Sequence, residues 1–309
     1  MSSAAKAPSR WAILFAFAAV YFVWGSTYLA MRVGVRTIPP FLLGAARFFL
    51  AGALLWGFAA AQGLTRHAQG HWRRSAIAGA LLLVGGNGGV VWSVQYIPSG
   101  LAALVVGAVP LWIVAIEWAQ GARKPTLRVS LGLVAGLAGM AVLLLPDVLA
   151  SLRHRGDEQH HALGIIVVLL ASLSWSFGSL YTRKIRIPEA PSLAPAMQTL
   201  VGGFLLLVLS AITGEWHGFS FARVGTSGAL SVAYLVVFGS LLAYSAYIWL
   251  LQVVAPARVS TYAFVNPVVA VLLGCLILNE PLNPRMLVSA AIVIAGVALI
   301  TIAPRPAQA

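Results

Sequence analysis

Trp24-Gly25-Ser26-Thr27-Tyr28-Leu29-Ala30-Met31-Arg32 has an echo at Trp175-Ser176-Phe177-Gly178-Ser179-Leu180-Tyr181-Thr182-Arg183, 175 − 24 = 151 positions further on. The same offset aligns Pro40 with Pro191, Ala45 with Ala196, Gly52 with Gly203, Leu54 with Leu205 and Leu55 with Leu206. Trp/Trp, Arg/Arg and Pro/Pro matches in one register point to an internal duplication, the feature to establish before any other. Towards the ends of the two halves the offset grows to 267 − 110 = 157, which pairs Pro110 with Pro267 and Ala138-Gly139 with Ala295-Gly296.

Each half is too apolar to fold in water. Of 309 residues, 60% are hydrophobic and 9% charged, and the mean hydropathy is +0.91. Soluble domains carry roughly 25% charged residues, so this chain cannot cover itself with a water-compatible surface and must lie in a bilayer. The net charge of +13 would suggest nucleic acid in a soluble protein. Here the Lys and Arg sit in short segments between apolar runs, where they set orientation, and no basic helix with interleaved aromatics is left to bind nucleic acid.

Ten apolar segments are predicted, at 11–31, 41–61, 75–97, 100–120, 127–146, 164–182, 191–213, 229–251, 257–278 and 286–303. Each comes near the ~20 residues that cross ~30 Å of hydrocarbon as a helix. Continuous rather than alternating apolarity selects helices over a barrel. The run that follows Lys6 and Arg10 is long enough to be a first span rather than a cleaved leader. With the N-terminus inside, the inner segments hold Lys6, Arg10, Arg66, Arg73, Arg74, Arg123, Lys124, Arg128, Arg183, Lys184, Arg186, Arg258 and Arg305. The outer ones hold Arg32, Arg36, Arg153, Arg155, Arg223 and Arg285. That ratio of 13 to 6 favours both termini on the cytoplasmic side of a plasma membrane, the inner membrane in a bacterium.

The predicted organisation is therefore residues 1–146 as the first five-helix repeat, 147–163 as an extracytoplasmic linker and 164–309 as the second repeat. Arg153-His154-Arg155-Gly156-Asp157-Glu158-Gln159-His160-His161 gathers His and acids, but its spacing fits no metal template and it reads as a solvated loop. The lone Cys275 permits no intramolecular disulfide or cysteine cluster and reads as a small packing residue. No metal and no cofactor are expected. Gly132, Gly136 and Gly139, with Ala291 and Ala295, form small-residue faces for close helix packing, either between the halves or in a homodimer.

Five spans per repeat is an odd number, so the second repeat enters the membrane facing the opposite way from the first. The fold class is all-α integral membrane: ten transmembrane helices as two inverted five-helix repeats around a central cavity, the design of secondary transporters, whose sites lie near the midplane between repeats. Beyond this physical reading, Trp24-Gly25-Ser26-Thr27-Tyr28, Ala45-Ala46-Arg47-Phe48-Phe49-Leu50-Ala51-Gly52, Asn266-Pro267 and Asn279-Glu280-Pro281-Leu282, in this order and spacing, resemble EamA-type members of the drug/metabolite transporter superfamily. Pro110-Leu111-Trp112 with Glu117 is similar to the branch labelled drug/metabolite or amino-acid exporters. The resemblance covers nearly the whole chain and implies export of small metabolites, cytoplasmic termini and a cavity between the halves. After the fourth span the family often carries a Gly-Glu-Arg-like end where this chain has Gln120-Gly121-Ala122-Arg123, so no role is carried to that position.

Candidate residues follow from depth in the spans. For substrate binding they are Trp24, Asn87, Trp92, Trp175, Tyr244 and Asn266, with Tyr247 beside Tyr244. Trp and Tyr supply flat apolar faces with a polar handle, and Asn87 stands among Gly85, Gly86, Gly88 and Gly89, where a helix can bend and leave its amide to a cavity. Bonding to a neighbouring helix would explain Asn87 as well, and an interfacial belt would suit Trp24. Pro110 and Pro267 are expected as equivalent kinks that serve gating or packing. Asn266 could bond the carbonyl that the kink frees. Glu117 and Arg47 are the ionisable residues well inside spans and the candidates for ion coupling; Arg47 could also snorkel or bond backbone carbonyls. The expected partners are a small-molecule substrate and the lipid bilayer. An embedded enzyme would need convergent acids, His, Cys or a Ser/Lys pair at depth, which the spans do not offer. The alternatives left are a nucleotide-sugar or sugar-phosphate carrier, disfavoured because Arg47 is the one midplane cation for a phosphate, and a membrane assembly subunit that transports nothing.

Overall fold

The structure, a computed structural model, describes residues 9–97, 99–152, 158–185, 190–278 and 284–302. Ten helices run through them: α1 (10–34), α2 (Pro40–Ala61), α3 (Trp72–Ser93), α4 (99–119), α5 (Leu127–Leu152), α6 (Glu158–Lys184), α7 (Leu193–Ile212), α8 (Gly225–Val253), α9 (256–278) and α10 (Pro284–Ile302). Eight of them are long and apolar enough to cross a membrane, and the chain is a multi-pass membrane protein. The other two, α4 and α9, differ from the continuous spans predicted. Helix α4 consists of Ser99–Val106 and Val109–Ala119 with a turn at 107–108, and α9 of Pro256–Val259 and Tyr262–Leu278 with a turn at 260–261. These are equivalent helices of the two repeats, but their breaks are out of register: at the 157 offset that pairs Pro110 with Pro267, residues 107–108 correspond to 264–265, inside the second piece of α9.

Packing follows the duplication. Helix α2 lies along α7 and α5 along α10, each against its own equivalent; α3 packs on α6 as α8 packs on α1, and α4 on α6 as α9 on α1. Every pairing maps onto another when five is added to each helix number, as a pseudo-two-fold axis requires. The close contacts obey the same rule. A Cβ on Gly52 would stand 2.7 Å from Leu200 N, and one on Gly203 would stand 2.5 Å from Phe49 N. Since 52 + 151 = 203 and 49 + 151 = 200, one backbone-to-backbone approach is made twice.

The α5–α10 seam corrects the expected face. Gly132 and Gly296 abut, each placing its would-be Cβ 2.7–2.8 Å from the other's carbonyl oxygen, and Ser289 Oγ donates to Gly139 O at 2.7 Å. Ala291 and Ala295 are exposed instead. The contact stripe of α10 is 289/293/296/300, three to four residues apart as helical packing demands, and it joins the halves of one chain.

The polar segment 147–163 is largely helical where it is described, because α5 continues to Leu152 and α6 begins at Glu158. Its end is exposed at His160, Ala162 and Leu163 but docks through two contacts: His160 stacks on Tyr96 (5.5 Å, 16°), and the buried His161 has Nδ1 3.4 Å from Tyr96 O. Residues 153–157 and the Asn279-Glu280-Pro281-Leu282 segment lie outside the described residues, and nothing is described of the Cys275 side chain. Five crossings separate Arg10 from Leu152, and ten separate it from Ile302. Arg10 and Ile302 therefore share one face, called here the terminal face, and the other is the linker face.

Glu215, in the turn after α7, ties the repeats together at the linker face. Its carboxylate accepts from Phe41 N (3.0 Å), Leu42 N (2.9 Å) and Ser210 Oγ (2.8 Å). Helix α2 has no side-chain cap of its own, so a carboxylate from the opposite repeat satisfies the N–H groups that a helix start leaves open and sits at the positive end of the helix dipole.

Candidate functional site

Three stretches of π-helix mark where regular winding gives way: Ala19–Val23 in α1, Ala80–Gly88 in α3 and Leu235–Tyr244 in α8. The last two lie in equivalent helices. Wide turns of this kind concentrate at functional sites, and here, with the breaks in α4 and α9, they surround one cavity. Its volume is ≈ 730 Å³ with the open side included. Its walls come from α1, α2, α3, α4, α6, α8 and α9, and hence from both repeats.

Of the residues predicted from sequence, Trp24, Arg47, Asn87, Trp175, Tyr244 and Asn266 line this cavity. An aromatic cluster floors it. The equivalent residues Trp24 and Trp175 meet edge to face at 5.7 Å, Trp24 packs on Tyr247 and Tyr262 at 5.0 Å each, and Tyr247 meets Trp175 and Tyr262 at 5.5 Å. Hydrogen bonds fix the rings. Trp24 Nε1 donates to Gly239 O (3.1 Å), Trp175 Nε1 donates to Tyr247 Oη (3.0 Å), and Tyr247 Oη also meets Ser179 Oγ at 2.6 Å. Trp24 is buried and bonded inside the bundle, not part of an interfacial belt. Tyr244 Oη donates to Gln198 Oε1 at 2.7 Å. Met31 near the end of α1, Val90 and Val91 near the end of α3 and Val106 in the first piece of α4 are lining residues nearer the linker face, so the space lies on the linker side of the cluster.

The glycines around Asn87 are explained by α6. A Cβ on Gly86 would come within 2.8 Å of the Trp175 ring, one on Gly89 within 2.8 Å of Ala171 Cβ, and one on Gly85 would collide with Ser174 Oγ. Bare backbone on this face of α3 lets α6 press close enough to set Trp175 against the cavity. The half-buried Asn87 amide makes no hydrogen bond to a described residue and is open to the cavity. Asn266, with its amide nitrogen turned towards the carbonyls, donates to Tyr21 O (3.0 Å) and Tyr262 O (3.1 Å). It thus ties α9 to α1 instead of bonding Ala263 O, the carbonyl that Pro267 leaves free.

The remaining candidates lie elsewhere. Trp92 packs against Tyr96 (4.7 Å) and is not among the lining residues. Pro110 sits in the first turn of the second piece of α4, where a missing N–H costs nothing, whereas Pro267 lies inside the second piece of α9. The two prolines are thus equivalent in sequence and different in local role. Glu117 is off the cavity, half-buried and within electrostatic range of Arg183 and Lys184, while Lys184 Nζ donates to Gln120 Oε1 and Arg183 Nη1 to Leu251 O. Arg47 neither meets Glu117 nor snorkels: it is 5% exposed, and its Nε donates to Ser240 Oγ at 2.8 Å. Thr27, Met31, Phe48, Ser172 and Tyr262 also line the cavity. They were missed in the sequence because nothing distinguishes them locally from packing residues.

The sequence matches the model of the EamA-like transporter family twice, over residues 10–145 and 162–302. It is 37% identical to the uncharacterized inner membrane transporter YedA of Escherichia coli K12, over 92% of this chain and 89% of that protein. It is 27% identical to a protein of Salmonella typhimurium named probable amino-acid metabolite efflux pump, over 90% of each. A crystal structure at 22% identity superposes with a TM-score of 0.77, covering 95% of this chain and 98% of that one, a likeness of fold.

Proposed function

The chain belongs to the EamA-like transporter family and is a membrane transporter, and from that premise we propose that it exports amino acids or small amphipathic metabolites through the cavity between its repeats. Transport is secondary and proceeds by alternating access: the two repeats exchange conformations, so that a space now on the linker side of the aromatic cluster reopens on the terminal side. The protein sits in the bacterial inner membrane with both termini in the cytoplasm, in line with the excess of Lys and Arg in the inner segments and with the location in the name of the Escherichia coli relative. The efflux named for the Salmonella relative supports the direction and the kind of cargo.

The observation that carries the proposal is the composition of the cavity. Two equivalent tryptophans, one from each repeat, meet at its floor beside two tyrosines and two asparagines. Flat apolar faces with a few convergent polar groups suit a small amphipathic molecule. The broken helices α4 and α9 flank the same space, and discontinuous helices at a repeat interface give a site the backbone freedom to change access. Pro110 and Pro267 contribute to that movement as a helix start and an internal kink.

Counterflow in proteoliposomes tests the reading. Vesicles preloaded with individual amino acids or small aromatic metabolites should take up labelled compound saturably, and Trp175→Ala or Asn87→Ala should abolish the uptake in folded protein. Uptake that survives both substitutions would remove the cavity from the mechanism. Repeating the assay across a pH gradient separates coupled from facilitated exchange: concentration of substrate against its gradient makes Glu117 the first residue to neutralise.

A further inference from the structure

Arg47 lines the cavity, is 5% exposed and forms no ion pair with any described residue. Among the described residues the cavity lining contains no carboxylate and no second cation. A charged guanidinium removed from water costs several kcal/mol unless it is answered, and inside a membrane-spanning segment such a group marks function by default.

The side chain is held in place. Nε donates to Ser240 Oγ at 2.8 Å, the guanidinium carbon stands 4.8 Å from the centre of the Phe48 ring, and Nη2 lies against Gly239, where a Cβ would come within 2.8 Å of it. Gly239 thus leaves the space the guanidinium occupies, while its own carbonyl holds Trp24. With Nε taken by Ser240, the Nη donors have no described acceptor. The second repeat offers no matching charge. Position 47 + 151 = 198 is Gln198, which is neutral, fully buried and bonded by Tyr244.

We propose that Arg47 anchors the carboxylate of the transported molecule, which makes the substrate class carboxylates, zwitterionic or singly anionic, with an apolar or aromatic body. The inference rests on the transporter reading above and narrows it. One carboxylate neutralises one guanidinium and is matched by its paired N–H donors. A phosphate dianion would leave a net negative charge with no second cation to meet it. A cationic amphipath would place like charges together in a low-dielectric space.

A matched ligand series separates this proposal from its premise. The purified protein is tested for binding by ligand-induced thermal shift and tryptophan fluorescence, and for counterflow, with 3-phenylpropionate, phenylalanine, phenylalaninamide, phenethylamine and phenyl phosphate. The two carboxylates are expected to bind and exchange, and the amide and the amine to do so at least about tenfold more weakly, the scale of one lost charge-assisted interaction. Arg47→Gln should reduce carboxylate binding by a similar factor, with partial recovery in Arg47→Lys. If these variants do not fold, the ligand series on the unaltered protein decides alone. Equal binding of the amine and the carboxylates overturns the anchor and leaves the transporter intact, as does unchanged carboxylate affinity in folded Arg47→Gln. Phenyl phosphate out-competing both carboxylates overturns the carboxylate assignment. Folded protein that neither binds nor exchanges any of the five refutes the anchor together with the cavity reading it rests on.

Discussion

Replacing Gly203 by Ala should loosen the seam between the two repeats more than its size suggests. The added Cβ would lie 2.5 Å from Phe49 N and 2.9 Å from Phe49 Cα, both backbone atoms that no rotamer change can move. Ordinary contact begins near 3.4 Å, so α2 and α7 must part locally by about 0.9 Å (3.4 − 2.5). A gap of 0.5–1 Å forfeits roughly a quarter to a half of each dispersion contact, and over-packing costs about 1–3 kcal/mol. Gly57, on the same α2, has nothing within 4 Å of its would-be Cβ, so Gly57→Ala carries the same gain in helix propensity without the clash. The difference between the two variants isolates the contact. We expect about 2–3 kcal/mol, seen as a Tm lower by roughly 4–6 °C for Gly203→Ala than for Gly57→Ala in a thermal unfolding assay in detergent. By the pseudo-two-fold relation, Gly52→Ala, whose Cβ would meet Leu200 N at 2.7 Å, should fall close to Gly203→Ala. Should Gly203→Ala and Gly57→Ala melt within ~1 °C of each other, the backbone contact is not what holds the repeats together, and the argument from close approach fails.

Other consequences can be checked with the same preparations. Glu215→Gln removes the charge from an acceptor shared by Phe41 N, Leu42 N and Ser210 Oγ and should cost about 1–2 kcal/mol; hydrogen exchange at the first turn of α2 should accelerate, and unchanged protection there would rule out the cross-repeat cap. Trp175→Phe keeps a ring but loses the N–H bonded to Tyr247 Oη, so counterflow should slow several-fold while Tm moves little; a variant as active as the parent would show that the donor does not position the floor. Pro110→Ala restores a backbone donor beside the 107–108 break. If that break serves the access change, the maximal exchange rate should fall with little effect on apparent affinity, and a change in affinity alone would point to a binding role instead.

Much of the fold was legible without coordinates, and for physical reasons. A bilayer leaves a continuous apolar run one good option, the helix, and an odd number of spans per repeat makes the repeats antiparallel. Trp24 and Trp175 could be matched by register, and they meet at 5.7 Å. Gly52 and Gly203 could be matched too, and they make the same contact twice. Rare residues and a constant offset survive as signals where apolar periodicity does not.

What tertiary structure decided was which way each helix faces. In water, a helix advertises its buried side by a polar opposite face; in lipid both sides are apolar, so Phe15 (72% exposed) and Phe48 (1%) look alike in sequence. For that reason Thr27, Met31, Ser172 and Tyr262 went unrecognised as cavity walls, Trp92 was expected there and lies elsewhere, and the α10 seam runs through Gly296 rather than Ala291 and Ala295. The breaks at Gly107-Ala108 and Ser260-Thr261 went unread because two residues of small or hydroxyl type do not interrupt an apolar run, and a helix in lipid tolerates them as readily as a turn does. The sequence by itself determined an inverted pair of five-helix repeats in a membrane. Only their packing turned an isolated arginine in α2 into a buried charge at a cavity wall, because its surroundings at Ser240 and Gly239 come from 193 and 192 residues away in the other repeat (240 − 47 and 239 − 47).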